Sequence, residues 1–364
     1  MSRSILEFGA VGDGATDCTG ALMQAAVYPG TVYFPEGTYL ISRQINAGKT
    51  LCWRGEGASS VIRLIPTQLE NREHYKNRIV YNTTMLKMEA GTHFELRDLT
   101  FDANKEAYAK ALLPEQDAAE SADGEKTRRN DHIVCVEVFG TKKLIIDGCT
   151  FCNAIIEGVY IDRTADICIT RSSFSGNGFP LEDASGLHIL GGYAGEPAIR
   201  VSDCKFDHNG FNGLLLNNVY GAAVSNISCC GNHYDGAALW NGSSRCVLSN
   251  VFCEGNRAGL CFRGDDKGWQ ADRPRAGQRE RCCSTNNIVN GLITLNNRSG
   301  IMWGCAQHIY LYGWVCRDRF AHELFYVQPD SGITCRVYGA HLTPREAVIL
   351  DRSDAPDAFQ AVTI

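Results

Sequence analysis

The chain has 364 residues, of which 44% are apolar and 21% charged, and a formal net charge of −6. This composition is typical of a globular protein, and the absence of a basic face argues against a nucleic-acid partner. No run approaches the roughly 18 apolar residues of a transmembrane helix, so no membrane partner is expected.

The N-terminal sequence "MSRSILEFGA" has neither a long apolar segment nor a cleavage site, so it does not read as a signal peptide. The 17 cysteines are odd in number and irregularly spaced, which does not fit a secreted disulfide framework. Free thiols suit a reducing compartment. We therefore expect a cytoplasmic or virion-associated protein, with secretion left open.

The stretch "FGAVGDGATDCTGALMQAA" (8–26) sets Asp13 and Asp17 among glycines, ahead of an apolar helical pattern. A phosphate-binding loop would place a Lys and a Ser or Thr after the glycines, and this spacing lacks both. Thr16 or Asp17 is placed to cap the N-terminus of the helix. The helix would cover the open end of a solenoid, so we interpret the stretch as structural.

Six segments in the middle of the chain share a small or polar residue, a glycine and an alternating strand pattern. They are "EGVYID" (157–162), "SGLHIL" (185–190), "NGLLLN" (212–217), "DGAALW" (235–240), "AGLCFR" (258–263) and "SGIMWG" (299–304). Successive glycines are 28, 27, 23, 23 and 41 residues apart. A step of roughly 23 to 28 residues is one coil of a β-solenoid, and the last step contains an insertion.

A second set of strand patterns precedes the glycine strands, as in "LIIDGCTF" (144–151) and "IRVSDCKF" (199–206). Asn-rich turns such as "GNG" (176–178) and "HNG" (208–210) follow them, and Asn and Gly tolerate the left-handed backbone of a tight corner. Each coil is therefore predicted to be strand, corner, strand and loop, repeated roughly eight to ten times.

Side chains alternate along a strand, which predicts the two faces of the glycine strands. The side chains expected inside are Val159, Ile161, Leu187, Ile189, Leu214, Leu216, Leu239, Leu260 and Phe262. The side chains expected outside are Tyr160, Asp162, His188, Asn217, Trp240 and Arg263.

Together with "GTVYFPEGTYLIS" (30–42) and "LCWRGEGASSVIRL" (51–64), the opening stretch resembles the start of pectate-lyase-like (pectin lyase-fold) right-handed β-helix proteins. That superfamily contains pectin-active enzymes, other polysaccharide lyases, glycosidases, epimerases and phage tailspikes. The resemblance implies an all-β fold, a single right-handed parallel β-helix with an N-terminal capping helix.

The whole chain, 1–364, is expected to form one domain. Its parts are an N-terminal cap with the first coils (1–64), loop insertions (105–131 and 265–281) and a closing cap or tail (340–364).

Substrates of this superfamily lie along an outer face of the helix, which implies a carbohydrate substrate on the outward side of residues 157–304. The candidate catalytic residues there are Asp235, Asp265, Asp266, Arg263 and His188. The candidate substrate-binding residues are Tyr160, Asp162, Asn217, Trp240, Trp269 and Lys267.

Two mechanisms fit these residue types. Glycoside hydrolysis needs two carboxylates about 5 to 10 Å apart, and Asp235 lies one coil from Asp265 and Asp266. "GDD" (264–266) resembles the paired aspartates of pectin hydrolases. The Asn-Thr-Asp, Gly-His-Gly and Arg-Ile-Lys motifs of those hydrolases are absent, so their catalytic roles are not carried over.

β-Elimination instead needs a base for the proton next to a uronate carboxyl and a cation to stabilise the enolate. Arg263 and Lys267 are candidate cations, with His188 or Tyr160 as the base, and C5-epimerisation uses the same logic. No cofactor is required and no dedicated metal site is expected. A lyase could use Ca²⁺, for which the acidic candidates are Asp162, Glu157 and Asp183.

We therefore expect a carbohydrate-active enzyme, either a glycoside hydrolase or a uronide lyase. A C5-epimerase, an intracellular enzyme acting on a small molecule, and a tailspike-like adhesin that binds glycan without turnover are the alternatives. An adhesin would form a tight homotrimer.

Overall fold

The computed structural model describes residues 2–65, 72–75, 78–110, 132–179, 184–191, 198–264, 283–304, 306–324, 333–342, 349–351 and 359–360. The strands of its N-terminal part are β1 (Ser2–Ser4), β2 (Asp13–Asp17), β3 (Thr31–Tyr33), β4 (Gly37–Ile41), β5 (Ile45–Asn46), β6 (Thr50–Arg54), β7 (Ser60–Leu64), β8 (Arg72–Tyr75), β9 (Arg78–Glu89), β10 (His93–Arg97) and β11 (Thr100–Asp102).

The strands of the middle part are β12 (His132–Phe139), β13 (Lys143–Asp147), β14 (Thr150–Cys152), β15 (Val159–Asp162), β16 (Asp166–Thr170), β17 (Ser173–Ser175), β18 (Leu187–Leu190), β19 (Ala198–Ser202), β20 (Lys205–Asp207), β21 (Leu214–Asn217), β22 (Ala222–Cys230), β23 (Asp235–Trp240), β24 (Val247–Glu254) and β25 (Ala258–Arg263).

The strands of the last part are β26 (Ser284–Thr285), β27 (Ile288–Leu295), β28 (Ser299–Trp303), β29 (Ala306–Gln307), β30 (Ile309–Arg317), β31 (Phe320–Leu324), β32 (Ile333–Tyr338), β33 (His341–Leu342), β34 (Ile349–Asp351) and β35 (Phe359–Gln360). The helices are α1 (Thr19–Ala26) and 3₁₀ helices at Ile5–Phe8 and Gly57–Ser59, and residues 105–110 are also helical.

The strands stack as a parallel β-helix. One sheet, called here the glycine-strand sheet, runs β5–β9–β12–β15–β18–β21–β23–β25–β28–β31–β34, with β8 added antiparallel to β9. The remaining long sheet begins as two stacks, β1–β3–β6–β10–β13–β16–β19 and β2–β4–β7–β11–β14–β17–β20, which merge at β22. Among the described residues the glycine-strand sheet has eleven parallel strands, slightly more than the eight to ten coils predicted from the solenoid pitch, and some of them, such as β12, carry no marker glycine.

Most coils have three strands rather than the predicted two. The segment 144–151 is broken at Gly148, whose φ of 68° ends β13 and starts β14. Equivalent residues in later coils are Arg171, Asp203 and Asn226, with φ between 50° and 56°. A left-handed residue at the same point of successive coils bends each strand and forms an additional corner.

The marker glycines of the repeat are required because neighbouring coils approach closely. A Cβ on Gly213 would lie 2.6 Å from the carbonyl oxygen of Gly236, and a Cβ on Gly236 would lie 2.7 Å from that of Gly259. Backbone atoms cannot move aside at this distance, so the glycine row fixes the register of the sheet.

The core confirms the inward half of the predicted alternation. All nine side chains expected inside are buried within one hydrophobic cluster. Phe101, Phe151, Phe174 and Phe206 stack on successive coils with ring centroids 5.4, 5.3 and 5.0 Å apart. Identical positions on successive coils therefore form continuous internal rows.

A ladder of buried amides fills the Asn corners. It contains Asn177, Asn209, Asn232, Asn256, Asn297 and finally Asp318. The Nδ2 of Asn209 donates to the Oδ1 of Asn232 at 2.9 Å and to the carbonyl of Phe174 at 3.1 Å. The Oδ1 of Asn232 also accepts the backbone N–H of Asn209 at 3.1 Å. The ladder therefore satisfies buried backbone groups at the corners.

The opening acids accept hydrogen bonds from nearby groups, but the N-cap of α1 is Cys18, which makes no side-chain capping hydrogen bond, and not Thr16 or Asp17 as predicted. Asp13 accepts the backbone N–H groups of Ala15 and Thr16 at 2.9 and 2.8 Å. Asp17 accepts from Thr19 N at 2.9 Å at the start of α1 and from Ser42 Oγ at 2.6 Å. Helix α1 contacts β5, the strand at one end of the glycine-strand sheet, and its role as a cap stays a prediction.

The described cysteines are free thiols except Cys283, which is disulfide-bonded. Burial raises the pKa values of Cys149 and Cys204 to about 12, so these thiols behave as small apolar groups. No described helix has the length and apolarity that crossing a bilayer requires.

Candidate functional site

The outward side of the glycine-strand sheet, called here the outer face, carries rows of side chains set by strand register. One row reads Lys87, Glu137, Tyr160, His188, Leu215, Ala238, Cys261, Met302 and Glu323. The next row reads Glu89, Phe139, Asp162, Leu190, Asn217, Trp240 and Arg263. Titratable groups thus concentrate on β9, β12, β15 and β18.

The imidazole ring of His188 lies on this face and faces the carboxylate of Glu157. Its Nδ1 is 3.4 Å from Glu157 Oε1, and its Nε2 is 3.4 Å from Asn217 Nδ2. Asn217 Oδ1 accepts from Asn241 at 3.0 Å, which makes Nδ2 the group that faces the imidazole. The Nδ1 proton therefore belongs on the Glu157 side, and the lone pair of His188 is on Nε2.

Tyr160 meets the His188 ring edge to face, with centroids 5.0 Å apart. A second histidine–carboxylate pair lies on β12, where His132 Nε2 is 2.7 Å from Glu137 Oε1. We name His132, Glu137, Glu157, Tyr160 and His188 the histidine–carboxylate cluster. Glu137, Glu157 and His188 are buried, whereas 40% of the His132 side chain is exposed.

Electrostatics favour a charged pair at His132 and Glu137. Burial alone would lower the pKa of His132, but the hydrogen bond to Glu137 and the charge of Glu157 raise it overall. Burial would raise the pKa of Glu137, but hydrogen bonds from His132 and Thr84 and the charge of Lys87 lower it overall. The exposed edge of the cluster therefore carries positive charge on His132 and Lys87.

Asp235 does not reach the surface of the outer face. Its carboxylate is fully buried and forms a forked ion pair with Arg257, at 3.0 Å to Oδ1 and 3.2 Å to Oδ2. Burial raises the pKa of Asp235, against the attraction of Arg257. Because the carboxylate is buried and both of its oxygens bond to Arg257, Asp235 is not placed to contact a substrate on the outer face.

Aromatic rings and arginines stand beside this ion pair. The Arg257 guanidinium lies 3.0 Å from the centroid of the Tyr234 ring, which stacks on Phe211 at 4.3 Å. Phe211 meets Trp240 edge to face at 5.7 Å, and Arg263 lies over Trp240 at 4.9 Å. We name Phe211, Tyr234 and Trp240 the aromatic wall.

The structure brings some of the predicted site residues together and leaves others apart. His188, Tyr160 and Asn217 share one cluster of contacts, and Trp240 and Arg263 form a neighbouring one. The candidate residues Asp265, Asp266, Lys267 and Trp269 lie outside the described part of the chain.

The acidic residues considered for Ca²⁺ have other partners. Asp162 accepts from Arg163 at 3.1 Å, and Glu157 accepts from His188, while Asp183 lies outside the described residues. Among residues that the structure describes, no three His, Cys, Asp or Glu side chains are grouped to hold a metal.

The outer face also carries residues that the repeat did not identify, namely His132 and Glu137 of the cluster and Lys87, which pairs in register with Glu137. Their coils lack the marker glycine of the repeat, so the repeat that is visible in the sequence begins only at residue 157. The alternating pattern of "HIVCVEVF" (132–139) is the signal that could have extended it.

Comparison with known proteins supports the fold. A family model for rhamnogalacturonase A/epimerase, pectate lyase-like, matches residues 2–105. No curated protein matches the chain.

Solved structures are similar over most of the chain. The hyperthermoactive exopolygalacturonase of Thermotoga maritima has a TM-score of 0.59 and 13% identity, covering 94% of this chain and 87% of that chain. The A-module of Azotobacter vinelandii mannuronan C-5 epimerase AlgE6 has a TM-score of 0.56 and 17% identity, covering 99% and 91%. Pre-mature bacteriophage phi29 gene product 12 has a TM-score of 0.58 and 16% identity. The match covers 98% of this chain but spans only 42% of the phage protein.

The stacked coils and these structures define the class of fold: the chain folds as a right-handed parallel β-helix of the pectate-lyase-like type, and the family match covers its N-terminal residues 2–105. Its fold is one that carbohydrate-processing enzymes use, including hydrolases and epimerases. The identities establish the fold and not the reaction.

Proposed function

We propose that the protein is a carbohydrate-active enzyme that removes the C5 proton of a uronic acid within a glycan, as a lyase or a C5-epimerase. The observation that carries this proposal is the Glu157–His188–Tyr160 arrangement on the outer face. A histidine oriented by a carboxylate is a general base near neutral pH. The phenol of Tyr160, on the preceding coil, is a second group able to give or take a proton.

Each step of this chemistry has a candidate group. Nε2 of His188 would accept the C5 proton once the substrate displaces the Asn217 amide that faces it, and the electron pair left behind would delocalise into the uronate carboxyl group. The cationic groups of His132 and Lys87, at the exposed edge of the cluster, would stabilise the resulting dianion. In a lyase the C4–O bond then breaks and Tyr160 protonates the leaving oxygen, whereas in an epimerase Tyr160 returns a proton to the opposite face of C5.

The names of two structural neighbours support a uronate substrate, since exopolygalacturonase and mannuronan C-5 epimerase both refer to uronic-acid polymers. Hydrolysis has less support from the described residues, because the Asp235 carboxylate is committed to Arg257.

The test is incubation with polyuronates in D₂O, followed by NMR and by ultraviolet absorbance. Deuterium at C5 with inverted configuration identifies an epimerase, and absorbance of an unsaturated product identifies a lyase. His188→Ala should abolish either signal, whereas His341→Ala, at an exposed position on β33 of the other long sheet, should not. New reducing ends without either signal would instead select hydrolysis.

Glycan binding without any turnover would select the adhesin alternative. The likeness to a phage protein supports virion association as a second proposal. The homotrimer expected of an adhesin stays a prediction, and light scattering on the purified protein measures it.

A further inference from the structure

We propose that the buried Asp235–Arg257 pair is a positioning unit that holds the aromatic wall, and that the wall with Arg263 binds the acidic sugar unit next to the reacting one. This inference rests on the proposed uronate chemistry for its ligand. It gives Asp235 a role in binding through other residues rather than in proton transfer.

The first step of the argument is the chain of contacts. Asp235 is bonded to Arg257 by both oxygens, and Arg257 covers the Tyr234 ring. Tyr234 stacks on Phe211, which contacts Trp240. Each link is a close packing or charge-assisted contact, so the orientation of Trp240 depends on the ion pair two rings away.

The second step is the position of the wall. Trp240 is paired in register with Asn217 on the adjacent strand, and Asn217 Nδ2 contacts His188. Adjacent strands lie about 4.8 Å apart. The wall therefore begins one strand beyond the residue that touches the candidate base, where a neighbouring unit of the same glycan would lie.

The third step is an unused hydrogen-bond donor. The indole Nε1 of Trp240 is buried and has no acceptor among the described residues. A buried donor without a partner is unfavourable, and a sugar hydroxyl or carboxylate oxygen would satisfy it. Arg263, partly exposed above the same ring, supplies the charge for a carboxylate and is the side chain that must move to admit it.

The sheet offers a matched control for the ion pair. Glu323 is equally buried, accepts from Arg298 at 3.3 Å and Ser299 at 2.5 Å, and lies on β31, away from the wall. Asp235→Asn and Glu323→Gln each remove one buried carboxylate that faces an arginine. Only the first should affect the wall.

The experiment compares the two variants by calorimetry with acidic oligosaccharides, by kinetics and by tryptophan fluorescence. Asp235→Asn should weaken oligosaccharide binding about tenfold or more, as expected for loss of a well-packed anchor, with the effect on KM rather than kcat. It should also change the fluorescence, and that change should vanish in a Trp240→Phe background. Tyr234→Leu, which keeps the ion pair, should reproduce the binding loss if Asp235→Asn does not fold.

Two results would overturn the inference. A large fall in kcat with unchanged KM would return Asp235 to a catalytic role, and equal behaviour of Asp235→Asn and Glu323→Gln would remove the positioning role. If wild type turns over no uronate yet binds acidic sugar through the wall, the proposed reaction fails and this inference survives. If turnover occurs but the Tyr234 and Asp235 variants bind normally, only this inference fails.

Discussion

His132 Nε2 lies 2.7 Å from Glu137 Oε1, five residues further along the same strand. The hydrogen bond to Glu137 raises the pKa of His132 against the effect of burial. Hydrogen bonds from His132 and Thr84 and the charge of Lys87 lower the pKa of Glu137 against the effect of burial. The pair is therefore ionised across the mildly acidic range and is neutral overall, with its cationic half at the exposed edge of the cluster.

Glu137→Gln should lower the pKa of His132, because burial then acts without the opposing carboxylate. An NMR titration of the His132 ring measures this directly. The contribution of the raised His132 to stability is present below its unfolded pKa and is lost as pH rises through the folded value. That of the lowered Glu137 is present above its unfolded pKa and is lost as pH falls through its folded value.

The two contributions overlap between about pH 4.3 and 6.5, where Glu137→Gln should cost the most stability. Glu89→Gln, at a mostly exposed side chain that pairs with Lys87, is the control and should leave the His132 titration unchanged. An unmoved His132 pKa in Glu137→Gln would contradict the pairing.

Asn232→Ala should destabilise the fold by about 3 kcal/mol, since it leaves the buried donors of Asn209 unsatisfied, at about 1–3 kcal/mol for each group. Urea unfolding measures the loss. Asn250→Gly removes a rung of an exposed ladder, where Asn250 Nδ2 donates to Asn226 at 3.0 Å, and glycine keeps the positive φ. This control should cost less than about 1 kcal/mol, and equal losses would mean that burial of the ladder is unimportant.

Gly213→Ala should prevent normal coil stacking, because its Cβ would lie 2.6 Å from one backbone oxygen and 2.9 Å from Asn232 Nδ2. A large fall in melting temperature, or failure to recover folded protein, is the expected result. Gly20→Ala is the matched substitution, since Gly20 lies in α1 and a Cβ there has no atom within 4 Å. It should stabilise the protein by about 0.5–1 kcal/mol.

His322→Gln should flatten the acid side of the stability profile. Burial lowers the pKa of His322 to about 4, and Trp303 Nε1 donates to its Nδ1 at 3.0 Å. The unfolded chain takes up this proton near pH 6.5 while the folded chain resists it. Stability therefore falls as pH drops from 6.5 to 4, by about 3 kcal/mol.

Glutamine keeps an acceptor for Trp303 but does not titrate, so unfolding of wild type and variant at several pH values tests the effect. His341→Gln, at an exposed position, should retain the wild-type slope. If His322→Gln and His341→Gln show the same dependence of stability on pH, the lowered pKa of His322 is not the cause of the acid loss of stability.

The sequence predicted the solenoid because its strongest constraints are local and recur. A glycine is required wherever backbones of adjacent coils approach to within a Cβ contact, as at Gly213, and inward apolar residues alternate from it. The split of the segment 144–151 into two strands was not predicted, because a glycine within an apolar run can adopt either sign of φ and the sequence does not show that Gly148 has a positive one.

The site was less predictable, since its contacts join residues from different coils. Asp235 is of a residue type that can act as a catalytic acid, so the sequence made it a candidate. Its partner Arg257 lies in a corner, where the repeat pattern predicts only a turn. His132 and Glu137 were missed because their coil carries no marker glycine. Their proximity to Glu157 depends on the stacking register, which an isolated strand pattern does not encode.

The amide ladder has a direction. Asn297 donates both its backbone N–H and its Nδ2 to Asp318 Oδ1, each at 2.8 Å, and a carboxylate has no hydrogen to pass on. A coil added after this one would receive no side-chain hydrogen bond from Asp318, so the row of amides could not continue. Asp318 thus ends the amide ladder, and it limits the number of successive coils that can share this type of corner.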